Sequence, residues 1–137
     1  MKILIVDDEM AALSKMKVLL SPYGDCTLST NNHQALQLCA KAIQSGFPFD
    51  LITIDIRLGN ASGHTLLEKI MELESAAKVP PSKKIMITAS GTRDNLVKAR
   101  AKGCDDFLVK PVRRDALEQK LLAMGYARKN PSASSSN

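Results

Sequence analysis

Three carboxylates, a hydroxyl and an ammonium stand at telling points of this 137-residue sequence: the pair Asp7-Asp8, then Asp55, Thr88 and Lys110. Each ends a short apolar run. Ile3, Leu4, Ile5 and Val6 stop on Asp7-Asp8, and Leu51, Ile52, Thr53 and Ile54 stop on Asp55. Ile85, Met86 and Ile87 stop on Thr88, and Phe107, Leu108 and Val109 stop on Lys110. A charge in such a place is informative, because an unpaired buried carboxylate is costly. Two like charges about 4 Å apart repel by about 4 kcal/mol at an effective dielectric of about 20. Three clustered acids therefore need a counter-charge, and Lys110 supplies only one. Hard oxygen ligands at a shallow site with room for water suit Mg²⁺, and a divalent ion together with Lys110 leaves the set neutral. The plainer alternatives are that Asp7 and Asp8 favour the dipole of the next helix and that Asp55 caps the one after it. Ser62 lies closer to that helix and is itself a capping residue.

The elements that would bring these residues together follow from the apolar pattern. Short continuous apolar runs read as strands buried on both faces. Between them, apolar residues recur at helical spacing. Ala12, Leu13, Met16, Leu19 and Leu20 form a first helix, ended by Pro22 and Gly24. A weaker strand over 26–29 precedes a second helix with Ala35, Leu38, Cys39 and Ala42 on its apolar face, capped by Asn31 or Asn32. A third helix carries Leu66, Leu67, Ile70, Met71 and Leu73. A fourth, capped by Thr92, carries Leu96, Val97 and Ala101 up to Gly103, and a fifth runs over about 114–124 with Leu117, Leu121 and Met124. Five strand–helix units in alternation call for a parallel sheet covered on both faces, joined by right-handed crossovers. In such a sheet all strands point the same way. Asp7, Asp8, Asp55, Thr88 and Lys110 then share its carboxyl edge, where ligands bind in open α/β sheets.

Length and composition indicate one domain, expected over 1–125, followed by a disordered Ser-rich tail over 126–137 too short to supply an output domain. There is no Trp, so the core must be aliphatic. From Lys78 onward the chain carries 13 basic residues against Asp94, Asp105, Asp106, Asp115 and Glu118. A basic half can attract an acidic partner, but without aromatic interleaving or a recognition motif it argues against nucleic acid. Cys26, Cys39 and Cys104 are widely spaced in apolar segments and read as reduced core thiols. His33 and His64 stand alone, so no zinc site is expected. The first apolar run is too short for a signal peptide and no stretch approaches a membrane span. The expected location is cytoplasmic.

In their order, each at a strand end, these pieces resemble the receiver domains of two-component response regulators across about residues 2–124. The resemblance rests on Asp7-Asp8, Asp55, Gly63 eight positions further on, Thr88-Ala89 and Lys110-Pro111. It implies a flavodoxin-like, doubly wound five-stranded sheet of order 2-1-3-4-5 with five helices. It also implies that Asp55 accepts a phosphoryl group from a phosphohistidine on a histidine kinase or histidine phosphotransfer protein. Asp8, Asp55 and the backbone carbonyl of Arg57 would bind Mg²⁺, with Asp7 acting through water, and Lys110 would neutralise a phosphoryl oxygen. Thr88 would be drawn inward by the new charge, coupled to Phe107, three positions before the lysine. A plain core residue is the other reading of Phe107. The output face would be the fourth helix, fifth strand and fifth helix, binding an effector protein, with a homodimer through that basic face left open. Arg57 and Ser90 are marked as modulating positions. The expected protein is a stand-alone signalling switch rather than an enzyme, with a phosphate-shuttling relay intermediate or an unphosphorylated scaffold as alternatives.

Two departures accompany the resemblance. Gly59 stands where such loops usually have Pro, which removes a fixed φ. Arg57 can reach over the phosphoryl group and alter its lifetime, or can simply point into solvent. Arg57 also argues against an aspartate-nucleophile phosphatase or mutase, which would place a second Asp there. Asp7-Asp8-Glu9 would repel the phosphate of a flavin cofactor from the first loop.

Overall fold

The computed structural model describes residues 1–58, 61–89, 97, 100, 101 and 103–128. Five strands form one parallel sheet: β1 (Lys2–Val6), β2 (Asp25–Ser29), β3 (Leu51–Asp55), β6 (Lys83–Thr88) and β7 (Asp106–Val109). A short antiparallel pair, β4 (Arg57–Leu58) and β5 (Ala61–Ser62), follows β3. The helices are α1 (Met10–Leu20), α2 (Asn32–Gln44), α3 (Gly63–Ala77) and α4 (Arg114–Ala123). Sheet order is β2-β1-β3-β6-β7. Counting sheet strands only, that is 2-1-3-4-5, the expected flavodoxin-like arrangement. Of the helix expected between Thr92 and Gly103, Val97, Arg100 and Ala101 are helical and the remainder lies outside the described residues. The expected fifth helix is therefore α4 here.

The two-residue period of a strand explains why the sheet needs a helix layer on each face. Ile3, Ile5, Leu51, Ile85, Ile87 and Leu108 point to one side, against Leu13, Met16 and Leu20 of α1 and Leu117 and Leu121 of α4. Their neighbours Leu4, Val6, Ile52, Ile54 and Met86 point to the other, against α2 and α3 through Ala35, Cys39, Leu66, Leu67 and Ile70. All five residues of β3 are buried, so the strand reads as an unbroken apolar run rather than an alternating one. Asn31 is the cap of α2, its side chain accepting the Gln34 N–H at 2.8 Å. Ser62 caps α3 by accepting the His64 N–H at 3.1 Å.

Two features depart from the sequence reading. First, β6 starts at Lys83, before the apolar run, and Lys84 is only 1% exposed. Its ammonium donates to Glu74 Oε1 at 2.7 Å and to the Ser82 carbonyl at 2.8 Å. The other Glu74 oxygen accepts from the Ser82 N–H and hydroxyl at 2.8 and 2.6 Å. A polar network thus pins the end of α3 to the start of β6. Second, α3 stops at Lys78 in the left-handed conformation (φ 56°), a place where glycine is usual. The three cysteines are free. Only Cys39 is a core residue, its thiol pushed up to about 12 by burial and the nearby Glu74 charge; Cys26 and Cys104 are half-buried rather than core. No helix among the described residues is long and apolar enough to cross a membrane.

Tyr126, at the start of the expected tail, is half-buried, and its hydroxyl donates to the Asp50 carbonyl at 3.1 Å. Residues 129–137 of that tail lie outside the described residues.

Candidate functional site

The strand order reverses between β1 and β3, and the crevice beyond the carboxyl ends of such strands is where α/β sheets bind ligands. Register decides what lies there. Ile5 pairs with Thr53 and Val6 with Ile54, so one further step sets Asp7 beside Asp55. Both carboxylates are buried, at 4% and 5% exposure, while Asp8 is exposed. Their oxygens, with one from Asp8, all lie within 4.8 Å of one another.

Lys110 enters from the end of β7. Its N–H donates to the Thr88 carbonyl at 2.7 Å, which holds the residue after β7 beside the end of β6. Its ammonium then donates to Asp55 Oδ2 at 2.9 Å and to Asp7 Oδ2 at 3.1 Å. The second oxygen of each acid is held by backbone: Asp7 Oδ1 accepts the Glu9 N–H and Asp55 Oδ1 the Arg57 N–H, both at 3.0 Å. Burial pushes the Asp7 carboxyl above its usual range, and the neighbouring Asp55 charge adds to this. The Glu9 N–H and Lys110 oppose the rise without cancelling it. For Lys110, burial pulls down, but the hydrogen bonds and charges of Asp55 and Asp7 outweigh it and raise the ammonium. Lys110 therefore stays charged between the two acids.

Among the described residues this is the one group of three or more acids, histidines or cysteines close enough to share an ion. All-oxygen donors with an exposed member suit a hard divalent cation that keeps water, and one ammonium leaves excess negative charge to neutralise. The residues fit such a cation. Asp8, Glu9, Asp55, Arg57, Ala89 and Lys110 line a cavity of about 290 Å³ above the carboxylates.

The other expected site residues divide. Thr88 ends β6 at 3% exposure. Phe107 lies on β7, half-buried, packed against the core on the α2–α3 side. Ser90 lies outside the described residues.

The segment after Asp55, expected to be a plain loop, is instead the β4–β5 pair, with Arg57 opposite Ser62 and Leu58 opposite Ala61. One signal for it was present in the sequence: the dipeptide Gly59-Asn60 is a two-residue hairpin-turn composition. The pairing has two consequences at the site. It aims the Arg57 N–H at Asp55, and it delivers Gly63 to the Asp55 backbone, where the Gly63 N–H donates to the Ile56 carbonyl at 2.7 Å. A Cβ on Gly63 would meet the Asp55 carbonyl oxygen and stand 2.9 Å from the Ile56 Cα. Only glycine allows that approach.

Comparison with known proteins agrees with this geometry. The family profile described as response regulator receiver domain matches residues 3–122. The response regulator protein PilR of Pseudomonas aeruginosa is 35% identical over 133 residues, covering 96% of this chain and 27% of PilR. The sensor histidine kinase GacS of Pseudomonas protegens is 31% identical over 121 residues, 88% of this chain and 13% of GacS. The chain thus spans about a quarter or less of these relatives. Among solved structures, a CheY-like response regulator receiver domain protein from Methanospirillum hungatei JF-1 superposes with a TM-score of 0.73 at 30% identity. That match covers 90% of this chain and 91% of the other. With sheet order, profile and relatives in agreement, the chain belongs to the response regulator receiver domain family, a family of signalling switches.

Proposed function

We propose that this chain accepts a phosphoryl group on Asp55 in a Mg²⁺-dependent reaction and thereby switches the binding of a partner protein. The observation that carries the reading is the Asp55 carboxylate itself: buried, grouped with two further acids, and hydrogen-bonded to Lys110 at 2.9 Å. An Asp55 oxygen attacks phosphorus, the bond from phosphorus to the donor nitrogen breaks, and the imidazole of a phosphohistidine leaves with that electron pair. Phosphoryl transfer needs positioning and charge stabilisation above all. Asp8, Asp55 and the Arg57 carbonyl would hold Mg²⁺, with Asp7 acting through water, and the ion would neutralise phosphoryl charge. Lys110, now on the Asp55 carboxylate, would follow the new charge to a phosphoryl oxygen.

The donor is a histidine kinase or histidine phosphotransfer protein, a reading supported by the match to part of a sensor histidine kinase. On this reading the protein works in the cytoplasm. The added group brings roughly −1.5 to −2 charges and new acceptor oxygens, enough to draw the Thr88 hydroxyl inward and Phe107 after it. The effector then reads the face made by the Arg100 segment, β7 and α4. Arg57, exposed at the rim of the cavity, screens the phosphoryl group from attacking water.

Incubation with a small phosphodonor and Mg²⁺ tests the reading by intact mass. One phosphoryl adduct is expected on the wild type and none on Asp55→Asn; an adduct that survives the substitution would overturn it. The same preparation times the decay. Arg57→Ala is expected to lose the group several-fold faster, and equal rates would remove Arg57 from that role.

A further inference from the structure

Phe107 is held from three directions. The register of β6 with β7 sets Phe107 opposite Met86 and Val109 opposite Thr88. Phe107 and Thr88 therefore share one face of the sheet, a two-residue step apart. On its outer side the ring meets cations: the Arg100 guanidinium lies 5.8 Å from its centroid and the Lys120 ammonium 5.4 Å. Both are within the range at which a cation is attracted to a ring face. Lys120 is itself fixed, because its ammonium donates to Asp106 Oδ1 at 2.9 Å. That same oxygen accepts the Phe107 N–H at 2.9 Å. One carboxylate thus ties the cation on α4 to the backbone of the residue whose ring the cation covers.

We propose that Arg100 and Lys120 form a clamp that holds Phe107 in its resting position and sets how readily the chain enters the phosphorylated conformation. The inference rests on the reading that Phe107 moves when Thr88 does, and it adds two residues that act through the ring. A ring drawn toward Thr88 leaves the two cations, and each lost contact weighs against the move by roughly two- to fivefold in an equilibrium. A ligand that selects the moved state gains apparent affinity by whatever fraction of the resting state is removed. Arg100 and Lys120 are therefore positioning residues. Their loss makes activation easier, the opposite of what loss of a site residue does.

Beryllofluoride with Mg²⁺, a stable mimic of the phosphoryl group, is the probe, and fluorine NMR of the bound anion is the readout. Lys120→Met and Arg100→Met are each expected to lower the half-saturating concentration about two- to fivefold, while Lys120→Arg, which keeps a cation over the ring, stays near the wild type. In a Phe107→Leu background, where no ring face remains, Lys120→Met is expected to change nothing. An equal shift in that background would overturn the clamp, since the lysine would then act through its charge or through Asp106. So would an unchanged half-saturation in both single Met variants. A wild-type protein that binds no beryllofluoride would overturn the reading of Asp55, and the clamp with it.

Discussion

Lys84→Met is expected to lower the unfolding free energy by about 3–5 kcal/mol, the cost of breaking a buried ion pair by removing one partner. The lysine sits at 1% exposure and Glu74 at 6%, so neither charge has bulk water to fall back on. Without the ammonium, Glu74 keeps its two hydrogen bonds from Ser82 but loses the only opposite charge that touches it among the described residues. Glu74→Leu leaves the reverse problem, an ammonium whose remaining acceptor among the described residues is the Ser82 carbonyl. Against a typical total of about 5–15 kcal/mol, either single change removes about a fifth or more. The double variant Lys84→Met, Glu74→Leu should recover only part of that loss: an apolar pair of similar volume avoids the desolvation of both charges, but the buried Ser82 N–H and hydroxyl lose the acceptor that Glu74 supplied. Denaturant midpoints for the two single variants and the double one test this. Single variants that unfold with the wild type would show that the network is not held by charge.

That network also marks the limit of what the sequence discloses. Strands β1 and β3 are legible because a sheet covered on both faces leaves no polar alternation to blur the apolar run. The same logic hides the start of β6, since Lys83 and Lys84 look like a loop until Glu74 is found beside them. A partner ten residues away on another element has no local signature. Lys78 is illegible for a related reason: a helix ended by a left-handed lysine carries none of the glycine that announces such ends. At the site, residue types alone gave Asp7, Asp8, Asp55 and Lys110. What they could not give is register, which makes Asp7 the neighbour of Asp55 and gives Lys110 both acids at once. The β4–β5 pair was missed because two-residue strands are too short for any periodicity, although Gly59-Asn60 was there to be read. The cations over Phe107 come from Arg100 and Lys120, and no spacing connects them.

Lys110→Ala should separate cation binding from phosphoryl acceptance. In the wild type the ammonium occupies one oxygen of Asp7 and one of Asp55, the same acids that hold the divalent ion on the proposed reading. Removing it frees ligands and lifts a competing charge, so the affinity for Mg²⁺ should stay level or rise. Phosphoryl acceptance should fall by about 10²–10³, the loss typical when one preorganised donor to developing charge is deleted. Titration of Mg²⁺ alongside the rate of adduct formation reads both; a parallel fall in the two would show that Lys110 serves only to order the acids. The metal-free variant also has a signature in pH. Asp7 is raised by burial and held down in part by Lys110, so deleting the lysine raises it further. A group raised in the folded state stabilises below its unfolded value, and that stability is lost as pH rises through the folded one. Between mildly acidic and neutral pH the variant should therefore lose more stability than the wild type, because two carboxylates about 4 Å apart then repel by about 4 kcal/mol at an effective dielectric of about 20. Added Mg²⁺ should restore most of the difference at neutral pH and little of it in acid, where protonation of Asp7 already does the neutralising.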